Sequence, residues 1–231
     1  MNKIFEILNK YYGYNSFRKG QYEIISNILR GRDSFCILPT GAGKSICYQI
    51  PALMFNGITI VISPLISLMK DQVDNLNSNG INARYINSTQ KLEVSDEIIE
   101  LCKKGEVKLL YIAPEKLENE FFKRKLRLLN ISQIAIDEAH CVSMWGHDFR
   151  KSYGLIAEFI DNLRIRPVVT AFTATATEIV RKDVINLLKL RNPYIYIGSF
   201  DRENLEIKLY IEEDKLELVK DIIREREGEA G

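Results

Sequence analysis

The segment ILPTGAGKS, residues 37–45, follows an apolar run, Ser34–Leu38, and opens the helical stretch KSICYQIPAL. A glycine-rich turn between a strand and a helix lets backbone amides and the helix N-terminus bind a polyphosphate. The spacing places Lys44 at the β- and γ-phosphates and the Ser45 hydroxyl at a magnesium ion. Leu38 stands where the first glycine of this pattern usually lies. The sequence therefore predicts a phosphate-binding loop formed by Pro39, Thr40, Gly41, Ala42, Gly43, Lys44 and Ser45.

Apolar, β-rich runs alternate with helical stretches along the chain. Several runs, such as ITIVIS and PVVTAF, are almost continuously apolar, as expected of strands covered on both faces. The alternation predicts an α/β fold with three layers, in which a mainly parallel central sheet lies between helices. The predicted strands are Ser34–Leu38, Ile58–Ser63, Ala83–Asn87, Val107–Ile112, Gln133–Asp137, Val168–Phe172, Tyr194–Ile197 and part of residues 201–211. The predicted helices include Lys3–Tyr11, Arg18–Leu29, Leu65–Leu76, Glu93–Lys103, Lys116–Leu129, Glu178–Leu190 and Asp214–Arg226.

Composition places the chain among soluble globular proteins. Hydrophobic residues make up 46% and charged residues 27% of the 231 residues, which excludes disorder, collagen-like repetition and a disulfide scaffold. Because the formal net charge is +1, any nucleic acid has to be bound by a local patch. The basic run KRKLR, Lys123–Arg127, is interpreted as a solvated helix face. No apolar run approaches the ~20 residues of a membrane span, so no membrane partner is expected.

The cysteines indicate a reducing compartment. Cys36, Cys47, Cys102 and Cys141 form no C-x-x-C pair, and each lies in or beside an apolar segment. This pattern favours buried thiols and a cytoplasmic protein over a disulfide framework or a zinc site.

A second chemical signal is IAIDEAH, residues 134–140. An apolar strand delivers Asp137 to its carboxyl end, where parallel sheets bind their ligands. Asp137 could hold magnesium, and Glu138 could orient and deprotonate a water molecule that attacks a γ-phosphate. Adjacent acids at a strand end are also common as solvated caps. Because the same sheet is predicted to carry a phosphate-binding loop, we interpret the pair as part of a phosphoryl-transfer site.

These motifs and five further segments occur in the order found in superfamily 2 helicases. GAGKS, DEAH and TATAT (residues 173–177) resemble motifs I, II and III, while SPLISLMKDQ (residues 63–72) resembles motif Ia. YIAPEKL (residues 111–117) is similar to the next segment that faces nucleic acid. CVSMWGHDFRKSY (residues 141–153) resembles the aromatic-rich loop that distinguishes the RecQ family of DNA helicases, and YGYNSFRKGQ (residues 12–21) resembles its motif 0.

The resemblance implies an ATP-dependent 3′-to-5′ DNA helicase with a RecA-like P-loop NTPase fold. It implies ATP and Mg²⁺ as cofactors and single-stranded or partly duplex DNA as the partner, in a cytoplasmic protein associated with the nucleoid. Residues 1–200 correspond to the first RecA-like domain and residues 201–231 to the start of a second one, which we expect to be missing. In the family the second domain supplies an arginine finger, worth roughly 10³–10⁵ in rate in related enzymes. We therefore expect weak ATP binding, very slow hydrolysis and no unwinding.

The segment before the phosphate-binding loop carries candidate nucleotide contacts. Tyr14 offers a ring for stacking on a base, and Gln21 has the paired donor and acceptor that read an adenine edge. Similarity to motif 0 implies these roles, with Arg18 assisting. From the residues alone, the alternative is that Tyr14 and Phe17 are core aromatics ahead of a helix.

The loop after DEAH carries candidate DNA contacts. Trp145, His147, Phe149 and Arg150 combine rings that stack on unpaired bases with a cation that neutralises phosphate. A packed loop that stabilises the sheet is the alternative. The resemblance implies that this loop senses DNA and is coupled to hydrolysis through His140. Further contacts to the DNA backbone are expected from Ser63, Pro64, Lys70, Thr173 and Thr175.

Two other classes of protein remain open at this point. A stand-alone nucleic-acid-binding module could use ATP as a switch, and the reading frame beyond Gly231 would distinguish it from a motor. A small-molecule kinase would also contain the phosphate-binding loop, but it leaves the aromatic-rich loop unexplained.

Overall fold

The computed structural model describes residues 3–199 and 215–225. The chain divides into two compact units, Met1–Ser199 and Phe200–Gly231. The strands of the first unit are β1 (Ser34–Ile37), β2 (Ile58–Ile62), β3 (Ala83–Ile86), β4 (Leu109–Ile112), β5 (Ile131–Ile136), β6 (Val168–Thr173) and β7 (Tyr194–Ile197). Its helices are α1 (Lys3–Tyr12), α2 (Gln21–Leu29), α3 (Lys44–Met54), α4 (Ile66–Ser78), α5 (Leu92–Lys103), α6 (Glu120–Leu126), α7 (Leu155–Asp161) and α8 (Glu178–Leu187). The second unit contains α9 (Lys215–Glu225). The strand predicted within residues 201–211 lies outside the described residues.

The seven strands form one parallel sheet in the order β3-β4-β2-β5-β6-β1-β7. Strand β2, ITIVI, is buried along its whole length, as its continuous apolar sequence predicts. Helices cover both faces of the sheet, so the predicted α/β fold with a parallel central sheet is confirmed.

Successive side chains of β1 point alternately to the two helical layers on either side of the sheet. Phe35 and Ile37 point into the core shared with α5, α6, α7 and α8, while Cys36 faces α2, α3 and α4. Helix α1 packs on α2 and α3 through Ile4, Ile7 and Leu8. All four cysteines are free and buried, which confirms the expectation drawn from their apolar surroundings.

The stretch predicted as one helix over Lys116–Leu129 is divided in two. Residues Pro114–Glu118 form a 3-10 turn, after which the Asn119 side chain accepts a 2.9 Å hydrogen bond from Phe122 N and starts α6. The short helix α7 was not predicted at all. None of the helices within the described ranges is long and apolar enough to cross a membrane.

The interpretation of the basic run as a solvated face is wrong for Lys123. Its side chain is only 7% exposed, and its ammonium lies 2.9 Å from Glu120 and 3.5 Å from Glu158. The two carboxylates join α6 to α7 through this lysine, so one member of the run is a packing residue of the helical layer.

A buried carboxylate fastens the amino-terminal ends of three neighbouring strands. Asp33 is 2% exposed and accepts hydrogen bonds from both Arg166 guanidinium nitrogens, at 3.0 and 2.6 Å. It also accepts from Val169 N at 2.9 Å and from Arg191 N at 2.7 Å. These bonds link the starts of β1 and β6 to the turn before β7.

Candidate functional site

The predicted motifs meet at the carboxyl edge of the sheet. The phosphate-binding loop follows β1, the DEAH segment follows β5, and TATAT begins at the end of β6, which lies between those two strands. Parallel strands deliver their carboxyl ends to one edge, where α/β folds bind ligands. The topology therefore brings together segments that are far apart in the sequence.

Leu38, which stands where the usual pattern has its first glycine, is a buried residue at the end of the strand. Its side chain is 2% exposed in the core under α2 and α3, and its amide donates to Thr173 O at 3.0 Å. The residue thus extends β1 beside β6, in ordinary strand surroundings that a leucine fills. The left-handed turns come later, at Gly41 (φ 82°) and Gly43 (φ 80°), and α3 begins at Lys44.

Gln21 and Arg18 hold the phosphate-binding loop from outside. Gln21 Nε2 donates to Ala42 O at 3.1 Å and to Gly43 O at 3.2 Å, while its Oε1 accepts from Arg18 N at 2.9 Å. The Arg18 guanidinium donates to Gly41 O. A Cβ atom at Gly43 would lie 2.5 Å from Gln21 Nε2, so a side chain at this left-handed position would displace the Gln21 amide. The sequence did not predict these contacts between motif 0 and the loop.

Tyr14 lies on the surface, where its ring is 53% exposed, so its interpretation as a core aromatic is wrong. Phe17 instead packs in a cluster with Phe5 and Tyr22, at centroid distances of 5.0 and 6.0 Å.

Asp137 is partly buried beside the loop. Its amide continues the sheet by donating to Ile62 O at 2.8 Å, and Tyr153 OH donates to Asp137 O at 3.0 Å. Burial, and next the negative charge of Glu138, raise the pKa of the Asp137 carboxyl to about 6. A divalent cation placed here would offset both effects, since it favours the ionised form.

Glu138 is held between two partners. Its carboxylate lies 3.9 Å from Lys44 Nζ and 3.3 Å from His140 Nδ1. The hydrogen bond from His140, and next the charge of Lys44, lower the pKa of Glu138 against the opposing effect of its burial. Its backbone is left-handed, with φ 46°, which is uncommon for a residue other than glycine and turns the chain sharply after the strand. Glu138 is therefore an ionised, oriented carboxylate next to the Lys44 ammonium.

His140 connects the DEAH segment with TATAT. Its Nδ1 lies 2.9 Å from Thr173 Oγ1, which itself donates to Thr175 O at 3.0 Å. Because the threonine hydroxyl uses its proton on Thr175 O, it accepts from His140, and this assigns the imidazole proton to Nδ1. This hydrogen bond joins the two segments directly.

A pocket of about 390 Å³ lies between these segments, within the range of small-molecule sites. The predicted residues that line it are Tyr14, Arg18, Gln21, Thr40, Gly41, Gly43, Lys44, Ser45, Asp137 and Glu138. Pro39 and Ala42 belong to the loop but do not line the pocket. Ser16, Ile46, Leu68 and Gln72 line it without having been predicted.

Gln72 connects the pocket to the buried side-chain amide of Gln49. Gln49 Nε2 donates to Gln72 Oε1 and to Tyr111 OH, both at 3.1 Å, and Gln49 Oε1 accepts from Tyr12 OH at 3.0 Å. The network joins α1, α3, α4 and β4 behind the pocket. Gln72 stands at the end of the motif Ia segment, which is the one sequence signal that could have identified it.

Ser45 and Asp137 are the predicted metal ligands that line the pocket. Among the described residues, no group of three or more His, Cys, Asp or Glu side chains could hold a metal ion. One carboxylate and one hydroxyl suit Mg²⁺, which commonly keeps waters and takes its remaining ligands from substrate phosphates.

The aromatic-rich loop exposes its largest rings. Trp145 is 75% and Phe149 41% exposed, whereas the His147 ring stacks on His140 with 4.1 Å between centroids. Arg150 Nη1 donates to Pro64 O at 3.2 Å, which joins the loop to the segment after β2. The guanidinium also pairs with Asp148 at 3.1 Å, so the exposed rings are what offers a surface on which unpaired bases can stack.

The other predicted DNA contacts differ in accessibility. Lys70 and Thr175 are exposed, whereas Thr173 is fully buried and its hydroxyl bonds within the protein. Ser63 is 2% exposed, and its hydroxyl has no hydrogen-bond partner within the described part of the chain. Thr173 therefore fits a connecting role better than a contact role.

The DEAD/DEAH box helicase family model matches residues 18–183. The chain is 49% identical over 226 residues to the ATP-dependent DNA helicase RecQ of Bacillus subtilis, covering 97% of this chain and 38% of that protein. It is 45% identical to the ATP-dependent DNA helicase RecQ of Pasteurella multocida, covering 98% of this chain and 36% of that protein. The chain thus spans less than two-fifths of these relatives' length.

Among solved structures, the Hef helicase domain of Pyrococcus furiosus aligns with a TM-score of 0.62 and 21% identity, over 81% of this chain and 38% of that one. The DUF1998 helicase MrfA bound to DNA aligns with a TM-score of 0.69 and 18% identity, over 86% of this chain and 29% of that one. These similarities show the fold, and the sequence relatives confirm the resemblance to RecQ helicases. The motifs, their common edge of the sheet and the matched family model together show that the chain belongs to the DEAD/DEAH box helicase family.

Proposed function

We propose that the chain is the first motor domain of a RecQ-type, ATP-dependent 3′-to-5′ DNA helicase and that it binds Mg²⁺-ATP and single-stranded DNA. The observation that carries this proposal is the convergence of Lys44, Ser45, Asp137 and Glu138 on one pocket. The RecQ relatives, named as ATP-dependent DNA helicases, support the reaction and the substrates.

The phosphate end of the pocket supports a hydrolytic role. Lys44 and the amides at the start of α3 bind the phosphates, and Ser45 with Asp137 would hold Mg²⁺, which neutralises phosphate charge when bound. Glu138 is ionised at neutral pH because its pKa is lowered, so it can orient a water molecule and accept its proton. His140 keeps that carboxylate in place.

The motif 0 end of the pocket suits a base. Tyr14 is exposed for stacking, and Gln21 is fixed by its bonds to Arg18 and to the loop, with a lone pair of Oε1 still available. We infer that this end takes adenine. The DNA then lies across the exposed rings of Trp145 and Phe149 and along Lys70 and Arg150.

We expect slow ATP hydrolysis by this chain because of the side chains that line the pocket. Of the arginines in the described residues, Arg18 is the one that lines the pocket, and its Nη1 donates to Gly41 O. Efficient hydrolysis requires a further cation at the transition state, worth roughly 10³–10⁵ in rate. We propose that residues 1–200 form the first RecA-like domain, that residues 201–231 lead towards a second, and that the second one supplies this cation.

Titration of the purified chain with a fluorescent ATP analogue in Mg²⁺, and with a labelled single-stranded oligonucleotide, tests the proposal. We expect both ligands to bind, with very slow hydrolysis and no strand separation. Nucleotide binding without DNA binding would favour a small-molecule kinase. ATP-dependent DNA binding by a full-length protein that unwinds nothing would favour a switched binding module.

A further inference from the structure

Ser143 lies at the base of the aromatic-rich loop, and its hydroxyl makes two hydrogen bonds. Its side chain is fully buried, and its hydroxyl donates to Asp183 Oδ2 at 2.5 Å. The same oxygen accepts from Trp145 N at 3.2 Å. Asp183 lies on α8, outside every motif of the sequence. A carboxylate on a separate helix therefore anchors the turn that carries Trp145.

This carboxylate is a strong acceptor for a buried hydroxyl, because hydrogen bonds to ionised groups are shorter and stronger than neutral ones. The turn itself is tight, since Gly146 N donates to Ser143 O at 3.0 Å and a Cβ at Gly146 would lie 2.3 Å from His140 O. A turn fixed at its base can hold an exposed indole in one place at a small further cost in entropy.

Helix α8 links this anchor to TATAT. Thr177, the last residue of that segment, caps the helix by accepting from Val180 N at 3.3 Å. The loop thus has two connections to the TATAT side of the sheet, one from His140 to Thr173 and one from Ser143 to Asp183.

We propose that Asp183 is a positioning residue for single-strand binding: its carboxylate holds Ser143, and through it Trp145, against the helix that follows TATAT. The inference rests on the proposed function for its DNA-binding consequence. The anchoring of Trp145 by Asp183 does not depend on DNA binding. The experiment can therefore contradict the anchoring or the proposed function separately.

Trp145 is the only tryptophan of the chain, so its fluorescence reports this loop alone. The test compares Asp183→Ala with the wild-type chain in the absence and presence of an oligothymidylate. We expect lower tryptophan anisotropy and stronger acrylamide quenching without DNA, together with about 10-fold weaker oligothymidylate affinity. Asp183→Asn, which keeps a neutral acceptor, should restore most of both signals.

Glu178→Gln is the matched control, because it neutralises a carboxylate of the same helix that pairs with Lys182 and Arg181 of that helix. It should behave as wild type. Circular dichroism and binding of the ATP analogue verify that each variant is folded. Unchanged Trp145 anisotropy and quenching in a folded Asp183→Ala variant would overturn the proposal. A mobile Trp145 in that variant, combined with no DNA binding by the wild type, would support the anchor and contradict the proposed function.

Discussion

The Lys44 ammonium lies 3.9 Å from the Glu138 carboxylate, although the two residues follow strands that are separated by β6. Both side chains line the same pocket, together with Asp137. The contact brings the cation expected at the phosphates next to the carboxylate expected at the attacking water. In the proposed function, a cation and a carboxylate held this close would be preorganised, as electrostatic catalysis requires.

Replacement of Lys44 tests the phosphate end of the pocket. Lys44→Ala should weaken binding of an Mg²⁺-ATP analogue about 100-fold, since a charge-assisted contact to phosphate is lost. The free energy of unfolding should change little, because the ammonium pairs at the pocket edge and not in the core. Lys103→Ala, which removes a surface pair with Glu100, is the control and should bind nucleotide normally. Unaltered affinity in Lys44→Ala would show that the phosphates bind elsewhere.

The raised pKa of the partly buried Asp137 carboxyl predicts a pH-dependent stability of the metal-free protein. Its pKa is raised from 3.8 to about 6, so the folded state holds the proton more tightly than the unfolded state. The contribution of Asp137 to the free energy of unfolding is therefore most favourable below pH ~4, and it falls as the pH rises to about 6. Above that pH the ionised carboxylate costs roughly 1–3 kcal/mol.

Asp137→Asn should accordingly stabilise the protein by about 1–3 kcal/mol near pH ~7 in a chelator, with little gain near pH ~4. Urea denaturation at the two pH values measures the difference. Asp161→Asn, at an exposed pair with Lys189, serves as the control. An equal effect of Asp137→Asn at both pH values would contradict the raised pKa.

Gly43 and Gly80 offer a matched pair of substitutions. Both have left-handed backbones, with φ 80° and 77°, but a Cβ at Gly43 meets Gln21 Nε2 whereas a Cβ at Gly80 meets no atom within 4 Å. Alanine should cost about 1–2 kcal/mol of stability at each site from backbone strain. Only Gly43→Ala should also weaken nucleotide binding, by about 10-fold, because displacing Gln21 releases the loop. Equal nucleotide affinities of the two variants would refute the role of Gln21 as a brace of the loop.

The sequence predicted the strands and the reactive loops because each signal is local. An apolar strand followed by GAGKS, or by DEAH, carries its own context, and parallel topology brings such strand ends together. Asp183 and Gln49 were missed because a single polar residue on an amphipathic helix looks like any solvated position. Their roles come from partners on other elements, Ser143 and Tyr111, and such pairs have no fixed spacing. Lys123 was misjudged for the same reason, since the carboxylate of Glu158 comes from another helix.

Asp33 lies at the amino-terminal edge of the sheet, opposite the pocket. Its carboxylate should contribute strongly to the free energy of unfolding. Its carboxylate satisfies Arg166 and the amides of Val169 and Arg191, so Asp33→Ala leaves the two amides without their acceptor and Arg166 with only backbone carbonyls as acceptors. Loss of one partner of a buried ion pair costs roughly 3–5 kcal/mol. Because the Arg166 side chain is 18% exposed and water can reach it, we expect about 3 kcal/mol by urea denaturation. Nucleotide affinity should be unchanged, since the proposed nucleotide pocket lies at the carboxyl ends of the strands.

The exposed pair of Asp161 with Lys189 is the control for the destabilisation expected of Asp33→Ala. Asp161→Ala removes an aspartate that bonds a lysine at 2.5 Å, but the two side chains are 41% and 64% exposed. Solvent-exposed pairs contribute about 0–1 kcal/mol, so this variant should unfold almost as wild type does. If Asp33→Ala were no less stable than Asp161→Ala, the Asp33 carboxylate would not be what holds the starts of β1 and β6 to the turn before β7.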